Sequence, residues 1–151
     1  MKPWVNSGTD RKRQRGQAAV EFALTITSIF MLLVGMLELT MFIYTYSVLA
    51  DAAKEGVRYA IVHGSSGQNG TGPSGGGSCV TSGAVIDNVK YYAAGSLHGT
   101  SNMTVNACYT DGNNQPGSAV QVTVSYPYEP FFGLGWPTVN VYANSAGRIM
   151  F

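Results

Sequence analysis

Residues 16–62 read GQAAVEFALTITSIFMLLVGMLELTMFIYTYSVLADAAKEGVRYAIV, and this stretch decides the fold of the chain. It contains no proline, and no charged residue occurs between Phe22 and Leu37 or between Leu39 and Ala50. At about 1.5 Å per helical residue, Phe22 to Ala50 spans roughly 42 Å, whereas a bilayer core requires about 30 Å. The remaining residues are too polar and glycine-rich to cover such a helix. The stretch therefore predicts a transmembrane helix with an exposed extension.

Charge is distributed unevenly along the chain. The formal net charge is only +1 over 151 residues, but a basic cluster precedes Gly16, offset only by Asp10: Lys2, Arg11, Lys12, Arg13 and Arg15. By the positive-inside rule, this cluster predicts a cytoplasmic N-terminus and an external C-terminus. A polybasic patch for nucleic acid or anionic lipid is the alternative interpretation. No further basic or aromatic surface follows the cluster, so we expect no nucleic-acid partner.

The junction between the basic and apolar segments has an unusual spacing. Gly16 separates them, and counting from Gln17 as the first residue, Glu21 is the fifth and Phe22 the sixth. An unpaired carboxylate at the mouth of an apolar helix is costly if it enters the bilayer, so Glu21 requires a partner. Cleavage after Gly16 would create an α-amino group at Gln17 that could pair with Glu21 of the same chain or a neighbour. The alternative is that Glu21 lies at the headgroup level and has no role.

These residues resemble a known family. A basic leader, Gly16, and Glu21-Phe22 before an apolar helix resemble the class III signal that prepilin peptidases cut. The longer pattern, RGQAAVEFAL, LLVGMLELT and YSVLADAAKEGVRYA, is similar to the TadE-like family of tight-adherence (Tad) pilus assembly proteins, and VTVSYPYEPFFGL at 122–134 also looks family-like. The family's Ala-Ala-x-x-Gly-x-Arg-Tyr-Ala segment is matched, with Val57 in place of the usual alanine, by Ala52, Ala53, Gly56, Arg58, Tyr59 and Ala60.

The resemblance implies which residues would act in processing and assembly. The processing site would comprise Gly16, Gln17, Glu21 and Phe22. Helix contacts in an assembled bundle would involve Glu21, Gly35, Glu38, Gly56, Arg58 and Tyr59. Gly35 would permit close backbone approach, although ordinary lipid-facing sequence is an equal alternative. Glu38, about 25 Å along the helix from Glu21, would lie near the outer interface, followed by Tyr44 and Tyr46 as interfacial aromatics.

The sequence as a whole predicts four segments. Residues 1–16 form a flexible basic leader, residues 17–62 the helix, residues 63–81 a Gly/Ser-rich linker and residues 82–151 an external body. The body begins with a second helix over 82–97, whose apolar face comprises Val85, Ile86, Val89, Tyr92 and Ala93. Three strands follow, at Met103–Tyr109, Ala119–Tyr126 (ended by Pro127) and Val139–Ala143, the last extending to Ile149 in a longer version. In the first two strands apolar and polar residues alternate, which predicts one buried face for each. The fold class is α+β, with a three-stranded antiparallel sheet, on the pilin-like plan.

Cys79 and Cys108 are the only two cysteines. Outside the membrane, an oxidising compartment favours a disulfide between them, near the surface because Cys108 has the polar parity of its strand. We expect no metal site and no cofactor, because His63 and His98 are isolated and no CxxC occurs. No catalytic motif is present, so the chain is expected not to be an enzyme but a substrate of processing enzymes.

Two functions remain open. The leading hypothesis is a pseudopilin or minor pilin that assembles a Tad-type (type IV-like) pilus or secretion apparatus from the bacterial inner membrane. The resemblance implies prepilin peptidase, other pilins and pseudopilins, and inner-membrane platform proteins as partners, besides the lipid bilayer. The alternative is a single-pass, membrane-anchored periplasmic receptor that binds a ligand on its aromatic loop, residues 127–137. An anchored receptor has no need for Gly16 and Glu21, which separates the two hypotheses.

Overall fold

The computed structural model describes residues 7–65, 71–73, 78–97, 99–133 and 137–151, with side chains from residue 16 onward. The chain divides into two compact units, Met1–Thr40 and Met41–Phe151. The first unit contains most of a long helix, α1, which runs from Ser7 to Val62. The second unit contains the last part of α1, a second helix and an antiparallel sheet. The α+β class is therefore confirmed.

Helix α1 begins earlier than the sequence predicted. It starts at Ser7, within the leader that we expected to be flexible, because no proline interrupts the chain between residues 7 and 16. In the first unit its apolar side chains are exposed, among them Phe22, Leu33 and Leu37. Its hydroxyl side chains donate hydrogen bonds to carbonyl oxygens one turn earlier, as Thr25 does to Glu21 and Ser28 does to Leu24. Such bonds satisfy polar groups on a helix without requiring water.

The sheet has four strands rather than the predicted three. The strands are β1 (Cys79–Val80), β2 (Thr104–Tyr109), β3 (Ala119–Tyr128) and β4 (Val139–Arg148), and they pair antiparallel in the order β1-β2-β3-β4. Strand β1 falls within the segment that the sequence predicted as linker. It has only two residues, which is too short for the alternation of apolar and polar side chains that reveals a strand.

Strand β3 continues through Pro127, where the sequence analysis expected it to end. Strand β2 stops opposite Ser125, whereas β4 continues alongside β3, with Pro127 opposite Asn140 and Tyr128 opposite Val139. One side of β3 is therefore an edge beyond Ser125, and a proline without an N–H group is tolerated at an edge. Strand β4 ends at Arg148, one residue before the end of the longer predicted version at Ile149.

The core of the second unit lies between the helices and one face of the sheet. From the sheet, alternate residues are buried as predicted, including Val105, Ala107 and Tyr109 of β2 and Val120, Val122 and Val124 of β3. Helix α2 (Ala84–Ala94) is shorter than the predicted 82–97. It buries Val85, Ile86, Val89 and Ala93, but Tyr92, also predicted for the apolar face, is about half exposed.

The end of α1 contributes a continuous stripe to this core. Its members recur at three- and four-residue spacing and are buried: Leu49, Ala52, Ala53, Gly56, Val57 and Ala60. Gly147 of β4 lies against the same helix, because a Cβ at this position would lie 2.7 Å from both Ile61 Cδ1 and Val57 Cγ1. The absence of a side chain at Gly147 thus allows β4 to cross α1 closely.

Candidate processing and assembly site

Gly16, Gln17, Glu21 and Phe22 lie together on the exposed beginning of the apolar part of α1. A Cβ at Gly16 would meet no other atom within 4 Å. The side-chain amide of Gln17 donates a hydrogen bond of 3.1 Å to Glu21 Oε1, one helical turn away. The predicted partner was the α-amino group of a cleaved Gln17; in the uncleaved chain the Gln17 amide contacts the carboxylate instead. Residue 17 is thus within reach of Glu21.

Gly35 and Glu38 lie one turn apart on the same helix. Gly35 has open space around its Cα, with no atom within 4 Å of an added Cβ. Glu38 was expected near the outer interface, where water reaches a carboxylate. In the structure this residue is only 6% exposed. Burial of a carboxylate costs several kcal/mol unless it is paired. Burial therefore limits which side chains can occupy position 38 more strongly than the sequence suggested.

The segment Ala52–Ala60, which resembles the family's Ala-Ala-x-x-Gly-x-Arg-Tyr-Ala segment, divides between the core and the surface. Gly56 lies inside the body, since an added Cβ would approach Val89 Cγ2 to 2.4 Å and Val122 Cγ1 to 3.3 Å. Arg58 points to solvent and pairs with Glu55 at 3.5 Å. Tyr59 is half-buried and stacks on His63 with 4.0 Å between ring centroids. Gly56 therefore packs within its own chain, and Arg58 is exposed on the surface of the helix.

Cys79 and Cys108 form a disulfide. They lie directly opposite each other on β1 and β2. Cys108 is only half-buried, as its place on the polar side of the alternating strand predicted. Among the residues that the structure describes, no group of three His, Cys, Asp or Glu side chains could hold a metal ion.

The aromatic loop is described except for residues 134–136, so Trp136 of the predicted ligand surface lies outside the described residues. Tyr128 at its base is buried and contacts Phe42 edge-to-face at 5.4 Å. Phe131 and Phe132 are exposed at 74% and 41%. A cavity of about 430 Å³ lies beside the loop, lined by residues of α1, the segment after α2 and β3, including Met41, Tyr44, Leu97, Tyr126 and Phe131.

Sequence reasoning missed a buried polar cluster centred on Thr71. Its amide and hydroxyl both donate to the His63 carbonyl, at 2.6 and 2.8 Å, and Asn114 Nδ2 donates to the Thr71 carbonyl at 2.7 Å. The Tyr109 hydroxyl donates to Thr71 Oγ1 at 3.4 Å. Burial raises the pKa of the Tyr109 phenol, and the hydrogen bond with Thr71 opposes this increase. The one available signal was the inward parity of Tyr109, since a buried tyrosine hydroxyl usually has a partner.

Within the described part of the chain, one helix, Gly16–Val62, is long and apolar enough to cross a membrane. Its most apolar window has a mean hydropathy of 2.1 and is 6% buried. These properties suggest a single-pass membrane anchor.

Comparison with known proteins gave one match. Residues 16–58 match the family described as TadE-like protein, which confirms the resemblance over the apolar helix and the segment that enters the core. No curated protein and no solved structure matched the chain. The family match suggests involvement in the assembly of a Tad pilus, with pilus-associated partners.

Proposed function

We propose that this chain, which carries the TadE-like segment at residues 16–58, is a pseudopilin or minor pilin of a Tad-type pilus or secretion apparatus. The observation that carries the proposal is the position of Gly16 and Glu21 at the start of an exposed apolar helix whose other end is built into a small body. This arrangement fits a helix that waits in a bilayer and later joins a helical bundle.

The proposal includes a location and an order of events. The basic residues before Gly16 favour a cytoplasmic N-terminus, and the Cys79–Cys108 disulfide favours an oxidising compartment, here the periplasm, for the body. A prepilin peptidase then removes residues 1–16. The new α-amino group at Gln17 pairs with Glu21 of a neighbouring helix, and this pair sets the axial register of the bundle.

Glu21→Ala tests the proposal. Removal of one charge favours insertion of an apolar helix, so the amount of protein in the membrane should not fall. Breaking a buried ion pair costs about 3–5 kcal/mol, so surface pili or secreted product should decrease at least about tenfold. Membrane fraction, N-terminal processing and pili are measured in the same strain.

Glu55→Ala is the matched control, because Glu55 is a carboxylate on the same helix whose pairing with Arg58 is solvent-exposed. It should leave pili at the normal level. Normal pili from a correctly inserted Glu21→Ala protein would refute the pilin-like mechanism.

The cavity beside the aromatic loop favours a second candidate function, a membrane-anchored binding module. Its volume of about 430 Å³ is within the range of small-molecule sites. In that case Glu21→Ala would be silent, whereas Tyr126→Ala, at the cavity wall, would abolish the signalling or uptake that depends on the ligand.

A further inference from the structure

We propose that the turn Pro130–Gly133 is a membrane-contacting element, which inserts Phe131 and Phe132 into the outer boundary between lipid headgroups and acyl chains. The inference rests on the proposed function only in requiring that α1 spans the bilayer. It adds a second point of contact between the body and the membrane, separate from the helix.

The backbone of the turn presents both phenylalanine rings at its tip. The Gly133 amide donates to the Pro130 carbonyl at 3.3 Å, and Gly133 has φ 53°, a value that favours glycine. The rings of Phe131 and Phe132, the two central residues, meet edge-to-face at 5.3 Å. Phe131 is 74% exposed, so the turn displays a large apolar side chain that the body does not cover.

The base of the turn is fixed to the first residues of α1 in the body. Tyr128 packs edge-to-face on Phe42, and Phe131 lines the same cavity as Met41 and Tyr44. Tyr44 is held in turn by a hydrogen bond of 3.5 Å from its hydroxyl to the Ser96 carbonyl. The exposed phenylalanines therefore lie beside the part of the helix that directly follows Thr40.

This part of α1 is where the helix would leave the bilayer. If Glu21 lies at the inner boundary, about 20 helical residues, or roughly 30 Å, bring the chain to Met41 at the outer boundary. Met41 and Tyr44 are themselves about half exposed. Aromatic side chains are enriched at this depth, where an apolar ring meets both acyl chains and water.

The composition of the turn favours lipid over a charged partner. From Pro127 to Gly133 the only charged residue is Glu129, and no lysine or arginine is present to bind anionic headgroups. The contact is therefore apolar, and it depends on the acyl-chain boundary rather than on headgroup charge.

Fluorescence quenching by brominated lipid tests the inference. The full chain is placed in phosphatidylcholine vesicles whose acyl chains carry bromine near the headgroup, in a background with Trp4 and Trp136 changed to phenylalanine. Phe131→Trp and Phe132→Trp report on the turn. Leu33→Trp, which would lie about 18 Å from Glu21 and so near the middle of the bilayer, reports on insertion of the helix and is measured with a second lipid that carries bromine near the ends of its acyl chains.

The matched control is Phe151→Trp, a similarly exposed phenylalanine at the other end of the body. The preceding residue, Met150, donates its amide to the Ile61 carbonyl, about 30 Å along α1 from Met41. Because bromine quenches only nearby rings, we expect the shallow lipid to quench Phe131→Trp at least about twofold more than Phe151→Trp.

Three results would overturn the inference. Equal quenching of Phe131→Trp and Phe151→Trp, with Leu33→Trp quenched, would remove the contact and leave the proposed function intact. Protection of both turn probes from aqueous acrylamide without quenching by lipid would assign the turn to a contact with a second copy of this chain, the only protein in the vesicles. Failure to quench Leu33→Trp would refute the anchor itself, and with it both proposals.

Discussion

Gly56 is a residue at which the packing of the body leaves no room for a side chain. Here α1 passes close to α2 and β3, with the Val89 and Val122 side chains 2.4 and 3.3 Å from the position that a Cβ would occupy. Glycine costs about 1 kcal/mol relative to alanine in a helix. The close approach of three elements at Gly56 accounts for its presence despite that cost.

Gly56→Leu should therefore destabilise the body. Forcing additional carbon atoms into a packed core typically costs about 1–3 kcal/mol, which exceeds the gain in helix propensity. Urea unfolding of the detergent-solubilised chain measures the change. Gly35→Leu is the control, because a Cβ at Gly35 meets no atom within 4 Å, and it should leave the unfolding of the body unchanged.

Tyr109 makes the stability of the body depend on pH in the alkaline range. Burial raises its pKa above the ordinary value of 10.0, so above pH 10.0 the unfolded chain loses the phenol proton before the folded chain does. The stabilisation is fully present below pH 10.0 and is lost as the pH rises through the folded-state pKa. The stability difference between the wild type and Tyr109→Phe should be constant at neutral pH and decrease above pH 10.0. A constant difference at all pH values would contradict the buried phenol.

At the scale of elements, the disulfide joins two neighbouring strands at the start of the sheet. Cys79 and Cys108 are separated by 29 residues, and they link β1, which has only two residues, to β2. A strand this short forms few backbone hydrogen bonds with its neighbour. The disulfide therefore stabilises the position of β1 at the edge of the sheet.

Removal of this bond with Cys79→Ala and Cys108→Ala together should lower the free energy of unfolding by about 3–4 kcal/mol, the loop-closure value for this separation. Membrane insertion should be unchanged, because the helix inserts through its own apolar surface. Thermal unfolding with and without reductant measures the effect. The double variant should be insensitive to reductant, which the wild type is not.

The elements that alternation or helical spacing reveals could be predicted from the sequence, and the others could not. The buried parity of β2 and β3 was predicted because each has at least three alternating apolar residues. Strand β1 was missed because it is too short, and the continuation of β3 past Pro127 was missed because pairing on only one side is a tertiary property. The stripe from Leu49 to Ala60 has helical spacing, but it consists mostly of small residues, and the sequence predicted this part of α1 only as an exposed extension.

For the candidate site, the sequence indicates residues by their spacing but does not reveal what surrounds them. The sequence indicated Gly16, Glu21 and the cysteines by spacing and compartment. It could not indicate that Glu38 is buried, nor that Thr71 is hydrogen-bonded to Tyr109 and Asn114, which lie 38 and 43 residues away in sequence.

For the whole molecule, cleavage after Gly16 is the decisive event of the proposed function. In cells with an active prepilin peptidase, intact mass analysis should show a mature chain that begins at Gln17. Gly16→Leu should leave at least about nine-tenths of the chain uncut, because a subsite that fits glycine excludes a branched side chain. Mature wild-type protein that still carries residues 1–16 would contradict this prediction.

The stripe of α1 in the core also has a mechanical consequence. From Leu49 to Ala60 the helix is a structural member of the body, and Gly147 and Gly56 allow β4, β3 and α2 to pack closely against it, because each contact has a side chain on one side only. Tension or torque applied to this segment is therefore transmitted directly to the sheet, with no slack tether in between. A pull on this part of the helix would move the sheet by the same displacement, in the same stroke.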